Sequence, residues 1–248
     1  MDHLLRATSL AEAHHFWFNG FRLFVTPLLR EATRGVAQPL LLDCGCGTGA
    51  NLELLGHYGR AFGFDLTATG LQIGRRLGRT RLARATVAAV PFPSHAFDVV
   101  TSFDVLYSLE EPVERAAVHE MYRLIRPGGY ALVNVAAMEV LSGDHSVLSR
   151  ELRRYSRASL ERLLTGAGFQ VVRLTYTNAS LFLPMAVVRA IQRARGLLPE
   201  DHAQHEIAVP PAPVNTILTA LLRVESWWLR AFDSPFGSSL LCLAKKPG

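Results

Sequence analysis

The sequence predicts an α/β fold, a doubly wound and mostly parallel sheet with flanking helices, and three observations carry that expectation. Short strand-like apolar runs alternate with helical stretches through the first half of the chain. The first of these runs enters a glycine turn that opens a helix, Asp43-Cys44-Gly45-Cys46-Gly47-Thr48-Gly49. The group Pro127-Gly128-Gly129 then separates a helical stretch from another apolar run. With 248 residues, 49% of them hydrophobic and 19% charged, the chain can bury a sizeable core as one domain.

Strands are expected at 40–43, 61–65, 82–87 and 98–103, and a fifth at 130–136 after the turn 126–129. The helix before that turn, 112–124, starts on Pro112, whose missing N–H would be unpaired in a first turn anyway. A helix at 157–165 stops at Gly166-Ala167-Gly168, and a strand at 169–177 follows. The last strand, 239–245, comes after an insertion of roughly sixty residues, long enough for helices of its own. Two fit: 185–195, between Pro184 and Gly196, and 214–232, after the proline-rich linker 209–213. In the second, Ile217, Leu221, Val224 and Trp228 recur at helical spacing, and Leu218, Leu222 and Leu229 widen the stripe. Such a stripe packs in a core or walls an apolar pocket.

The formal charge of +5 comes largely from arginines clustered at 75–84 and 153–157. A solvated basic face explains them most simply, with an anionic partner or membrane face as the alternative. Residues 1–15 lack a signal-peptide core, and the longest apolar run, 181–188, is too short to cross a bilayer and is broken by Pro184. A cytoplasmic protein without a transmembrane segment is expected, peripheral membrane contact remaining open. Cys44, Cys46 and Cys242 give no disulfide framework and no metal-ligand spacing, so no metal is expected and the two turn cysteines read as small buried fillers.

The chemistry concentrates at the glycine turn. Gly45, Gly47 and Gly49 let backbone approach a ligand and present N–H groups at a helix start. Their order is G-x-G-x-G rather than the dinucleotide G-x-G-x-x-G, and Asp43 beside them is ill suited to a pyrophosphate but well suited to an ammonium group. Asp65 ends the second strand, where a carboxylate can accept both hydroxyls of a ribose. Together these residues describe a site for a cationic, phosphate-free nucleoside, and S-adenosyl-L-methionine fits it.

On these residues, and on Phe62-Gly63-Phe64-Asp65, Val90-Pro91-Phe92-Pro93 before Phe97-Asp98-Val99-Val100, and Arg126-Pro127-Gly128-Gly129, the sequence resembles the class I S-adenosylmethionine-dependent methyltransferases of the type 11 small-molecule group. The resemblance covers about 40–136. It implies a Rossmann-like seven-stranded sheet whose last strand, 239–245, is antiparallel. It also implies that the glycine turn with Cys46 holds the methionyl part, Asp65 and Leu66 the ribose, and Thr86, Val87 and Ala88 the adenine. Phe103 completes this cofactor set, and Arg22 is a candidate for the methionyl carboxylate. Thr86 stands where many members carry an aspartate, and Ser108 where many carry a histidine. In this reading the chain is one methyltransferase domain: an N-terminal helical lid at 1–36, a cofactor core at 37–177, a helical insertion at 178–237 and the last strand at 238–248.

The acceptor is expected to be a small molecule with an apolar body, methylated on oxygen or nitrogen. Phe16-Trp17-Phe18 and the late helices, with Leu181, Phe182, Ile217, Leu221, Trp227 and Trp228, supply the apolar surface for it. Tyr107, His145 and Tyr155 are the catalytic candidates, His145 as base and Arg154 with Tyr155 as anchor for a polar group. A lipid-linked or membrane-surface acceptor, or a non-catalytic nucleoside-binding protein, are the alternatives. Nucleic acid is disfavoured because no Asn/Asp-Pro-Pro-Tyr motif follows the fourth strand. The oligomeric state is not legible.

Overall fold

The computed structural model describes residues 8, 9, 11–199 and 208–248. Parts of the expected lid and insertion, residues 1–7, 10 and 200–207, lie outside the described residues. Seven strands form one sheet in the order β3-β2-β1-β4-β5-β7-β6. They are β1 (Leu40–Cys44), β2 (Arg60–Asp65), β3 (Leu82–Arg84), β4 (Phe97–Phe103), β5 (Ile125–Ala136), β6 (Gln170–Thr177) and β7 (Ser239–Lys245). All pairings are parallel except those of β7, which runs antiparallel between β5 and β6.

Period-two alternation divides the strand residues between two cores. Leu41, Val99, Leu132 and Leu243 face α1 (Phe16–Ala32), which lays Val25, Leu28 and Leu29 on them. Leu42, Val100, Val133 and Cys242 face the other way, toward α4 (Glu111–Leu124) and α6 (Arg157–Gly166), which supply Val118, Met121, Leu160 and Leu164. Between the strands lie α2 (Asn51–Gly56), α3 (Ala68–Arg76) and the short α5 (Asp144–Leu148). The late segment forms α7 (Phe182–Arg195) and α8 (Ala212–Trp228). α8 packs on α1, and the crossing is so close that a Cβ on Gly20 would lie 2.3 Å from Leu222 Cδ1.

Five expectations need correction. The third strand stops at Arg84 instead of 87, because Thr86 turns back to pair with Ala89. The segment 126–129 is not a turn ahead of β5. It is a bulge within the strand, since Ile125 pairs with Phe97 while Tyr130 pairs with Val99. On α8, Ile217, Leu221, Val224 and Trp228 do not form the core face: Leu222 and Leu229, read as the margin of the stripe, are buried and those four are exposed. The expected helix 185–195 begins earlier, at Phe182, and 214–232 becomes Ala212–Trp228.

Candidate active site

The strand order reverses between β1 and β4, and the crevice at their carboxyl ends is where open α/β sheets take ligands. The chain leaves β1 through Gly45, Gly47 and Gly49, all at positive φ (+76°, +54° and +80°), a region where any side chain is strained. Gly45 and Cys46 N–H both donate to the Phe64 carbonyl at 2.9 Å, which folds the turn over the end of β2. α3 then comes so close that a Cβ on Gly74 would lie 2.1 Å from the Thr48 carbonyl oxygen.

Two carboxylates frame the turn. Asp65 Oδ2 accepts from Gly47 N–H at 2.8 Å, and Oδ1 accepts the Thr67 N–H at 2.7 Å together with the Thr67 hydroxyl. A carboxylate carries about four acceptor positions, so capacity for ribose hydroxyls remains. Asp43 is buried, and its Oδ1 accepts from the Thr101 hydroxyl at 2.6 Å. Its Oδ2 is buried without a well-formed hydrogen bond, and burial pushes the carboxyl up to about 6, with the nearby Thr101 and Asn51 side chains opposing the rise. A buried acceptor without a well-formed bond calls for a donor, and an ammonium group or an ordered water has the chemistry. The donor set therefore fits the methionyl end of the expected cofactor.

Leu66 is exposed beside Asp65, and Ala85 N–H donates to the Asp65 carbonyl at 3.1 Å, so the ends of β2 and β3 stand together. Thr86 Oγ1 accepts from Ala88 N–H at 3.4 Å, and Val87 lies against Cys44, Ser102 and Leu106. The buried Phe103 ring meets Phe21 of α1 edge to face, 4.9 Å between centroids. Arg22 donates to the Glu12 carbonyl at 3.1 Å and to Asn19 Oδ1 at 2.5 Å.

Two residues that the sequence did not assign to the site, Glu12 and the Arg79 of the basic cluster, close the other side of the turn. The buried carboxylate of Glu12 accepts from the Thr48 hydroxyl at 3.0 Å and from Arg79 at 2.6 Å, while Arg79 also donates to Thr48 Oγ1 at 2.9 Å. The segment before α1 is thereby tied to the glycine turn.

A second group sits at the end of β4. Asp104 adopts a φ of +60°, donates its N–H to the Asn134 carbonyl at 2.9 Å, and accepts from Asn134 Nδ2 at 2.9 Å through Oδ1. The residue is exposed to solvent at the end of β4, with protein around it that still desolvates the carboxyl. Desolvation there raises its carboxyl to about 7, with Asn134 and Arg154 opposing and Glu151 adding to the rise. Tyr107 is buried in the same group, its hydroxyl pushed well above the usual range by desolvation and by the carboxylates of Asp104 and Glu151. Arg154 is held by Glu151 at 2.9 Å, the Ala137 carbonyl at 3.0 Å and Ser146 at 3.3 Å.

The other catalytic candidates are placed differently. Tyr155 is buried and donates to Glu114, which pairs with Arg153 at 2.7 Å. That pair lines a cavity of about 570 Å³ between α4 and α6, with Arg115, His119 and Arg162. His145 is half-buried on α5, whose neighbours Ser146 and Ser149 reach Arg154 and Tyr107. The structure thus groups Tyr107, Arg154 and Asp104, and Arg154 also lines the cavity with Tyr155, whose hydroxyl is bonded to Glu114. One signal pointed to Asp104: aspartate tolerates positive φ better than most residues, and it directly follows an apolar strand in a sheet of this type.

Residues 42–133 match the methyltransferase domain family. A Mycolicibacterium smegmatis protein, named a probable S-adenosylmethionine-dependent methyltransferase, is 31% identical over 167 residues, 65% of this chain and 62% of that one. The ubiquinone/menaquinone biosynthesis C-methyltransferase UbiE of Pseudoalteromonas translucida is 28% identical over 128 residues, 47% of this chain and 48% of that one. Among solved structures, a chain of the Haloferax volcanii Trm112 methyltransferase activator complex superposes with a TM-score of 0.62 at 18% identity, covering 98% of this chain and 94% of that one. The chain spans about three fifths or less of the length of the curated relatives named. No helix among the described residues is long and apolar enough to cross a membrane. Over residues 42–133 the chain is thus similar to the methyltransferase domain family, and its sheet order and its relatives agree with the fold of S-adenosylmethionine-dependent methyltransferases.

Proposed function

We propose that the chain transfers a methyl group from S-adenosyl-L-methionine to oxygen or nitrogen of a small acceptor with an apolar body, and that Asp104 takes the acceptor's proton. The observation that carries this reading is an exposed carboxylate at the switch point of the sheet, oriented by Asn134 and three residues beyond the Thr101 that pairs with Asp43. S-adenosyl-L-methionine, when bound, supplies an electrophilic methyl group on a sulfonium, and the transfer leaves a neutral thioether.

The protein's share is positioning and proton handling. Asp43 and the turn Gly45, Cys46, Gly47 and Gly49 hold the methionyl end, with Arg22 near the turn through Glu12. Asp65 and Leu66 hold the ribose, Thr86, Val87 and Ala88 border the adenine, and Phe103 closes the floor. Asp104, with Asn134 fixing Oδ1, has Oδ2 available to accept a proton as the new bond forms. The role first assigned to His145 passes to Asp104 in this reading, Tyr107 shaping the same group from beneath. Tyr155 and Arg154 order the wall through Glu114 and Glu151.

A second reading, methylation at carbon of an electron-rich ring, draws support from the named C-methyltransferase relative. It asks for the same base, because the ring must lose a proton. The test is a transfer assay with isotope-labelled S-adenosyl-L-methionine over phenols, amines, carboxylic acids and quinols, read by mass spectrometry. Label on an apolar-bodied acceptor, at oxygen or nitrogen in the first case and carbon in the second, supports the respective reading. Binding without turnover on any acceptor would favour a nucleoside-binding protein, and label only on polar sugars or nucleic acid would contradict both.

A further inference from the structure

We propose that the outer face of α7 and α8 docks this chain on the surface of an anionic phospholipid bilayer. This goes beyond methyl transfer and does not depend on it.

α8 turns Leu222, Glu225 and Ser226 inward. On its opposite side Ile217, Leu221, Val224 and Trp228 follow one another at intervals of four, three and four, from 43% exposed at Leu221 to 66% at Val224, and Trp227 beside them is 71% exposed. α7 buries only Gln192 and leaves Leu183, Val187 and Ile191 exposed at intervals of four. Two amphipathic helices normally turn such stripes toward a core, whereas here both turn away from it.

Both helices are tied to the turn 179–181. The Glu225 carboxylate of α8 accepts the N–H groups of Ala179 and Ser180, at 2.8 and 2.9 Å, in the turn that leads into α7. Phe182 at the start of α7 packs on Phe236, 5.5 Å between centroids, and Trp228 stacks on Phe232 at 4.4 Å. Each helix thus leaves an apolar stripe uncovered, and monomeric proteins seldom leave large apolar patches exposed.

The charge of this face chooses the occupant. α7 contains no acidic residue, and the one carboxylate of α8, Glu225, is buried. Arg195 pairs with Asp144, Arg193 donates to the Val140 and Ser142 carbonyls and Asp233 is paired with Arg173, while Arg223 and Arg230 meet no carboxylate among the described residues. A second copy of the chain would set these arginines against their own kind, which disfavours self-association. An anionic lipid surface meets both features, taking apolar and indole side chains at the headgroup level and drawing the guanidinium groups electrostatically. Neither helix is long and apolar enough to cross the bilayer, so contact is on the surface.

Sedimentation of the full chain with vesicles of phosphatidylglycerol and phosphatidylcholine in equal parts, against pure phosphatidylcholine, tests the proposal. Two of the three tryptophans lie on this face, so their emission should shift to the blue on binding. Val224→Glu with Trp227→Glu, two exposed positions, should weaken binding to the mixed vesicles at least about tenfold. Arg223→Gln with Arg230→Gln should weaken it by about tenfold or more at low salt. A thermal melt of each variant and its affinity for S-adenosylhomocysteine check that the fold is kept. No sedimentation with the mixed vesicles, sedimentation that the Val224 and Trp227 variant retains, or a dimer in solution that this variant splits would each overturn the proposal.

Discussion

The glycine turn after β1 and the outer face of α8 are opposite cases of how a segment is completed. At the turn, Gly45 and Cys46 go to Phe64, Gly47 to Asp65, Thr48 to Glu12 and Arg79, and a buried oxygen of Asp43 is left without a well-formed hydrogen bond. Along α8, Ile217, Val224 and Trp227 meet no covering side chain among the described residues. The first region is defined by polar groups that each need one particular partner, the second by apolar surface that any apolar neighbour would satisfy. A sequence therefore reveals the first kind of region through its motif and the second kind only as a stripe.

The sharpest way to break the comparison is at the turn. Gly47→Val places a β-branched side chain at a φ of +54°, a conformation that costs about 1–2 kcal/mol by itself, and it intrudes where backbone meets ligand. Binding of S-adenosylhomocysteine should fall by about a hundredfold or more in calorimetry; retained affinity would show that the turn does not approach the ligand. An equally drastic change on the outer face of α8 should leave that affinity alone.

Asp104→Asn comes next, with an expected loss of about a hundredfold or more in kcat and little change in cofactor affinity. Because desolvation raises the Asp104 carboxyl to about 7, the wild-type rate should climb as pH passes through about 7 and level off above it, and the Asn variant should lose that limb. The folded state holds this proton more tightly than the unfolded chain, so its contribution to stability is full at acid pH and fades as pH rises through about 7. The Asn variant should accordingly gain in Tm relative to wild type at pH 8 and not at pH 4. A pH profile shared by both proteins would assign the proton to another group.

The smallest effect expected is at Thr86, which holds its own turn through a long contact with Ala88 N–H. Thr86→Asp should tighten S-adenosylhomocysteine binding by a few-fold at most or leave it unchanged, as measured by titration. A large loss would show that the adenine edge lies elsewhere than at 86–88.

These contrasts also explain what the sequence disclosed. Seven strands were legible because buried strands of a doubly wound sheet read as apolar runs, the antiparallel direction of the last only through the family resemblance, and the turn because its glycines and carboxylates are tied to a ligand's shape. The shortening of β3 was not, since it depends on Thr86 folding back onto Ala89, and neither was the bulge at 126–129, which Pro and Gly announce as a turn in either case. Asp104 is a lone acid in sequence, and only the surroundings supplied by Asn134, Glu151 and Arg154 make it chemically distinct. The stripe on α8 gave the spacing of its residues but not its direction: Leu222 and Leu229 went inward while Ile217 and Val224, equally apolar, went outward.

The central claim is that the crevice at β1, β2 and β4 is a nucleoside site closed by Asp65, and titration calorimetry of S-adenosylhomocysteine into the wild-type chain and into Asp65→Ala tests it most directly. Asp65 already accepts from Gly47 and Thr67, so the variant loses both the ordering of the turn and the acceptors for ribose hydroxyls. The account predicts metal-independent binding by the wild type and an affinity at least about tenfold lower in the variant, since each charge-assisted hydrogen bond is worth on the order of 1.5–3 kcal/mol. No binding by the wild type, or equal binding by the two proteins, would contradict it.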